Sequence, residues 1–120
     1  MGSQGVNKLP TRVQIGTQVW EIVERTKNFD GMLDEGSYGY TLHRENMIVL
    51  DATCAPSRKR QTLLHEILHA IKYSFGNPTI PKKTDDADVW EHYYIAMYEE
   101  GILLVLRDNP EVLAYLLETN

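Results

Sequence analysis

Apolar and polar residues alternate over residues 11–15, where Val13 and Ile15 sit among polar neighbours. This period of two predicts a short strand. Gly16-Thr17 marks a turn, and Val19-Trp20-Glu21-Ile22-Val23 has the β-branched content of a second strand. Residues 27–37 are rich in Asn, Asp and Gly and predict a loop. Alternation returns over 38–43, Arg44-Glu45-Asn46 turns the chain, and the compact apolar run 47–50 completes a predicted hairpin.

The period then lengthens. Leu64, Ile67, Leu68, Ile71 and Phe75 recur at helical spacing and predict a helix of about five turns. Pro56 and Ser57 supply the start signal, with Ser57 as N-cap; Gly76 stops the helix and Pro78 forbids its continuation. Residues 76–86 carry two prolines and no periodicity, and so predict a loop that either rims a site or simply connects. Asp85 or Asp86 caps a second long helix over 87–107. Asn109-Pro110 breaks it, and 110–117 form a last short helix.

Composition narrows what such a chain does. One hundred and twenty residues make one domain with a modest core. Residues 1–7 are expected to be a flexible leader and 8–120 the domain. The net charge of −5 argues against direct nucleic-acid binding, which needs a basic footprint. The exception is Arg58-Lys59-Arg60, read as a solvated first turn or else a dock for an acidic substrate. No apolar run reaches membrane-spanning length, so no membrane partner is expected. Cys54 is the single cysteine; it forms no internal disulfide, and no sequence feature lowers its pKa. A cytoplasmic protein is expected, of undetermined oligomeric state.

The candidate chemistry lies in His65-Glu66-Ile67-Leu68-His69, an H-E-x-x-H pattern on the first helix. Residues four apart share a helix face, so two imidazoles can point at one spot. Neutral imidazole nitrogens suit zinc at about 2.0–2.1 Å. Glu66 stands about 100° round the helix from His65, beside the ion. There its carboxylate can act as general base towards a metal-bound water.

A catalytic zinc takes three protein ligands. The second helix offers Asp88, Glu91, His92, Glu99 and Glu100. Steps of three or four from Glu91 reach Ile95, Tyr98, Ile102 and Val105, an apolar ridge expected to face the core and the first helix. Glu91 is therefore the first candidate for third ligand and His92 the alternative. If Glu91 ligates, His92 can stabilise an oxyanion or orient Glu91, and Tyr94 can donate to a tetrahedral intermediate. Tyr93 and Tyr98 read as core aromatics, and His43 as structural or exposed.

The helix Gln61-Thr62-Leu63-Leu64-His65-Glu66-Ile67-Leu68-His69-Ala70, followed by a helix bearing Glu91, resembles the zincin metallopeptidases. More narrowly, with Val105-Leu106-Arg107-Asp108-Asn109-Pro110-Glu111, it is similar to small zinc peptidase-like proteins of phages and mobile elements, loosely of the ImmA/IrrE type. The resemblance spans roughly residues 40 to 115. It implies an α+β fold, with a small, mainly antiparallel sheet beside the H-E-x-x-H helix, a second long helix and a short C-terminal one. It implies His65, His69 and Glu91 as zinc ligands, Glu66 as base, and an edge strand, 38–43 or 47–50, that pairs with an extended substrate peptide. The expected function is zinc-dependent peptide hydrolysis in a bacterial host cytoplasm; the alternative is a zinc-stabilised module that binds or inhibits a host protein.

Overall fold

The computed structural model describes residues 8–33, 36–76 and 79–119. The expected leader, the Pro78 stop and part of the loop predicted over 27–37 lie outside or partly outside them. The chain folds as α+β. Strands β1 (Arg12–Ile15), β2 (Gln18–Arg25), β3 (Gly39–Leu42) and β4 (Met47–Asp51) precede helices α1 (Pro56–Phe75), α2 (Ala87–Asp108) and α3 (Pro110–Leu116). A short 3-10 turn, Lys27–Phe29, follows β2.

The sheet runs in the order β1-β2-β4-β3. β1–β2 and β3–β4 are antiparallel, the latter as the predicted hairpin requires, while the central β2–β4 pair is parallel. In the first hairpin Gly16 takes φ 61°, which a side chain would resist, and Ile15 pairs with Gln18 across the two-residue turn. β4 lies inside the sheet and β3 at its edge, so only the 38–43 segment of the two expected candidates offers a free edge.

One sheet face and the three helices enclose the core. Val13, Ile15, Trp20, Ile22, Ile48 and Leu50 meet Leu63, Ile67, Ala70 and Ile71 of α1, Val105 of α2, and Val112 and Tyr115 of α3. β1, the other edge strand, is closed by a side chain. Asn109 Oδ1 accepts from the Gln14 N–H at 2.7 Å, and its amide donates to Gln14 O at 2.8 Å and Val105 O at 2.9 Å.

Two helix details differ from expectation. Ala55 and not Ser57 is the N-cap of α1, with Pro56 at the first helical position, where its missing N–H costs nothing. The buried stripe is Leu63, Ile67, Ala70 and Ile71, while Leu64 is exposed. On α2, capped by Asp86 accepting from the Val89 N–H, the buried ridge is Met97, Gly101 and Val105. Ile95 and Ile102 of the expected ridge stay exposed. The cause is Gly101: a Cβ there would overlap Ile71 Cγ2 and come within 3.1 Å of Phe75. The helices approach where the side chain is smallest, and the larger residues turn outward.

Candidate metal centre

His65 and His69 stand on the exposed side of α1 with their Nε2 atoms 3.2 Å apart and their rings at 72°. Two nitrogens at about 2.0–2.1 Å from a tetrahedral ion lie about 3.3–3.4 Å from each other. The pair therefore fits two corners of a zinc site. Glu66, only 5% exposed, turns toward β3, and its Oε1 accepts from Thr41 Oγ1 at 2.6 Å.

The strand makes that contact possible. Alternation puts Gly39 and Thr41 on the helix side of β3, with Tyr40 on the opposite face, where its hydroxyl bonds Asp30 and Arg25. Gly39 lets the strand lie close: a Cβ there would meet Val49 O at 2.7 Å and Thr62 Cγ2 at 2.8 Å. Tyr40–Val49 and Leu42–Met47 are pairing neighbours, and Asp51 N donates to Tyr38 O. By antiparallel alternation the N–H and C=O groups of Gly39 and Thr41 point away from β4, to the edge, where Gly39 O accepts from the Ser37 hydroxyl at 2.8 Å.

A groove of about 340 Å³ follows this edge, lined by Ser37, Gly39, Tyr40, Thr41, His43, His65, Glu66 and His69. It continues past Tyr38, Arg58 and Gln61. Arg58 lies over the Tyr38 ring, 5.1 Å from its centroid. The basic run is thus divided: Arg58 faces the groove, Lys59 pairs with Glu24 at 2.5 Å, and Arg60 is buried. A larger hollow, about 660 Å³, lies elsewhere between residues 8–12 and Pro110, Glu111 and Ala114, and holds no histidine.

The candidates on α2 are not brought to this groove. Tyr93 has its hydroxyl beside Gly76, and Gly101 sits on Ile71 and Phe75, so the two helices run antiparallel. Glu91 precedes Gly101 by ten residues, which at about 1.5 Å per residue is about 15 Å further along, past the C-terminal end of α1. His65 and His69 lie in the other direction. Glu91 and His92 are exposed, and Tyr94 belongs to a ring cluster with Trp90 and Tyr93 at 5.9 and 5.3 Å. Among the described residues, no group of three or more His, Cys, Asp or Glu is gathered tightly enough to hold a metal. The described part of the 76–86 loop does not line the groove either.

Cys54, between β4 and α1, has its thiol pKa pushed up by burial and by the charge of Asp51, which keeps the thiolate scarce. His43, expected to be structural or exposed, is exposed. It lies in the turn after β3, lines the groove, and stacks on Tyr73 at 4.6 Å and 12°.

Among the described residues no helix is long and apolar enough to cross a membrane. No family model matches the chain, and neither a curated protein nor a solved structure matches it.

Proposed function

We propose that this protein is a zinc-dependent peptidase that holds its ion through His65 and His69 and uses Glu66 as general base. The observation that carries this reading is the 3.2 Å Nε2 separation, with the Glu66 carboxyl lining the same groove. Zinc, when bound, supplies a Lewis acid and a water acidified towards neutrality. The chain's own groups do the rest. Glu66 takes up a proton and returns it to the leaving amine, and Thr41 fixes the orientation of its carboxyl. The outward backbone of Gly39 and Thr41 suits an extended peptide laid along β3. Arg58 and Gln61 give one end of the groove a cationic, hydrogen-bonding lining suited to an acidic side chain. A single cysteine suits a reducing setting such as a bacterial host cytoplasm, and phage or mobile-element origin belongs to the same reading.

The test pairs metal analysis with cleavage of a diverse peptide library. Wild-type protein is expected to take up one zinc per chain and cleave a subset of peptides, and Glu66→Gln to keep the zinc and lose cleavage. Failure of wild type to bind zinc, or full cleavage by Glu66→Gln, overturns the proposal.

One observation favours a second reading, a zinc-stabilised binding module. α2 exposes Ile95, Ile102, Leu103 and Leu106, an apolar surface of the kind that partners cover. Chelation that unfolds the protein, with no cleavage detectable before it, supports the module.

A further inference from the structure

We propose that the third protein ligand is His43, from the turn after β3, and not a side chain of α2. The inference rests on the zinc reading above and names the residue that completes it.

Three observations converge on His43. Strand parity carries Gly39 and Thr41 to the α1 side of the sheet, where Thr41 reaches Glu66 at 2.6 Å, and the chain leaves β3 directly into the turn that holds His43. His43 also lines one groove with His65, Glu66 and His69. Third, its ring lies flat on Tyr73, 4.6 Å between centroids. Tyr73 follows His69 by four residues, as His69 follows His65, so the three share one face of α1. The stack thus holds an imidazole on a ring one helical turn beyond His69 and about two beyond His65.

The competing donors are worse placed. Glu91 and His92 stand beyond the far end of α1, and Cys54 has a raised thiol pKa and does not line the groove. Beyond the pair and Glu66, His43 is the only His, Cys, Asp or Glu among the described residues that line it. A three-imidazole set leaves the fourth tetrahedral position for water, the arrangement a catalytic zinc needs.

In the stacked position His43 does not yet form a gathered set with the pair. Ligation requires the ring to leave Tyr73, so zinc and the Tyr73 ring compete for His43. The aromatic partner on the other side is Trp20, edge-on at 6.4 Å. Its Nε1 is the one buried side-chain nitrogen or oxygen without a hydrogen bond among the described residues, so no polar bond ties His43 to Trp20.

The experiment measures zinc affinity by competition with a chelator, and the absorption spectrum of the cobalt(II) protein. Wild type, His65→Ala, His43→Ala, Glu91→Gln, Tyr73→Leu and His43→Cys are compared. His65→Ala and His43→Ala are expected to weaken zinc by roughly 100-fold or more, as loss of a ligand should. Glu91→Gln should bind as wild type does, and Tyr73→Leu at least as tightly. His43→Cys should add a sulfur-to-cobalt charge-transfer band in the near ultraviolet, which a purely structural His43 cannot give. Wild-type affinity in folded His43→Ala overturns the assignment. If that variant does not fold, absence of the band in His43→Cys overturns it instead. Zinc binding that is missing in wild type, or unaffected by His65→Ala, defeats the zinc reading itself.

Discussion

The hydroxyl of Thr41, on an edge strand, donates to the carboxyl of Glu66, on the motif helix, across 2.6 Å. Glu66 is 5% exposed, and its carboxyl needs such a partner, because a buried polar group without one is costly. Thr41→Val keeps the shape and removes the donor. It is expected to cost about 1–3 kcal/mol of stability, measured by urea unfolding. Cleavage should fall about 10–100-fold, while Thr41→Ser keeps most of both.

Gly39 is what lets that pair form. Gly39→Ala would bring a methyl against Val49 O and Thr62 Cγ2. Neither a sheet carbonyl nor a buried threonine moves easily. The expected loss is about 1–3 kcal/mol. Amide NMR shifts should move along β3 and around Glu66.

Gly101 opposes helix propensity to packing. By propensity alone, Gly101→Ala should stabilise α2 by about 1 kcal/mol. The new methyl would overlap Ile71, a β-branched residue 1% exposed. Overpacking is expected to win, with a net loss of about 1–2 kcal/mol in denaturant unfolding. A gain in stability would mean that α2 sits elsewhere on α1.

Legibility stopped at the same glycine. Among the described residues the period-two and helical patterns located the four strands and the three α-helices but not the 3-10 turn at Lys27–Phe29, and Gly16 and Gly76 marked element ends, because those signals are local. On α2, Val105 was placed correctly, while Ile95 and Ile102 were misassigned because large apolar residues suggest burial, whereas closest approach selects the smallest side chain. Leu64 was misassigned for a related reason, since Ala70 takes up little room and the stripe rotates toward it. His65, Glu66 and His69 were legible from spacing on one helix. Thr41 and His43 meet that helix only through the fold, and Glu91 stands at the exposed start of a ridge that reaches the core only at Tyr98 and Val105.

Acid should weaken the protein through Asp51. Hydrogen bonds from the Thr53 hydroxyl and then the Thr53 N–H hold its carboxyl pKa below the usual value. A depressed carboxylate contributes stability above its unfolded pKa of about 3.9, and that contribution is lost as pH falls through the lower folded value. Asp30, lowered chiefly by the Tyr40 hydroxyl, acts in the same direction. The urea midpoint is expected to drop between pH 5 and pH 3. Asp51→Asn should flatten part of that fall, leaving the share due to Asp30.

Cys54 should be slow to alkylate. Burial first, and then the charge of Asp51, keep the thiol protonated. Iodoacetamide at pH 7.5 is expected to react more slowly with the folded protein than with the urea-unfolded chain. Asp51→Asn should raise the folded rate.

The amide of Asn109 that closes the β1 edge comes from 95 positions further along the chain than Gln14. A ribosome releases β1 long before it releases Asn109. Until then the nascent strand keeps raw N–H and C=O groups on that side, open to a neighbouring polypeptide. Asn109→Ala should therefore show its largest defect in soluble yield during synthesis, beyond what the melting point of the finished protein suggests.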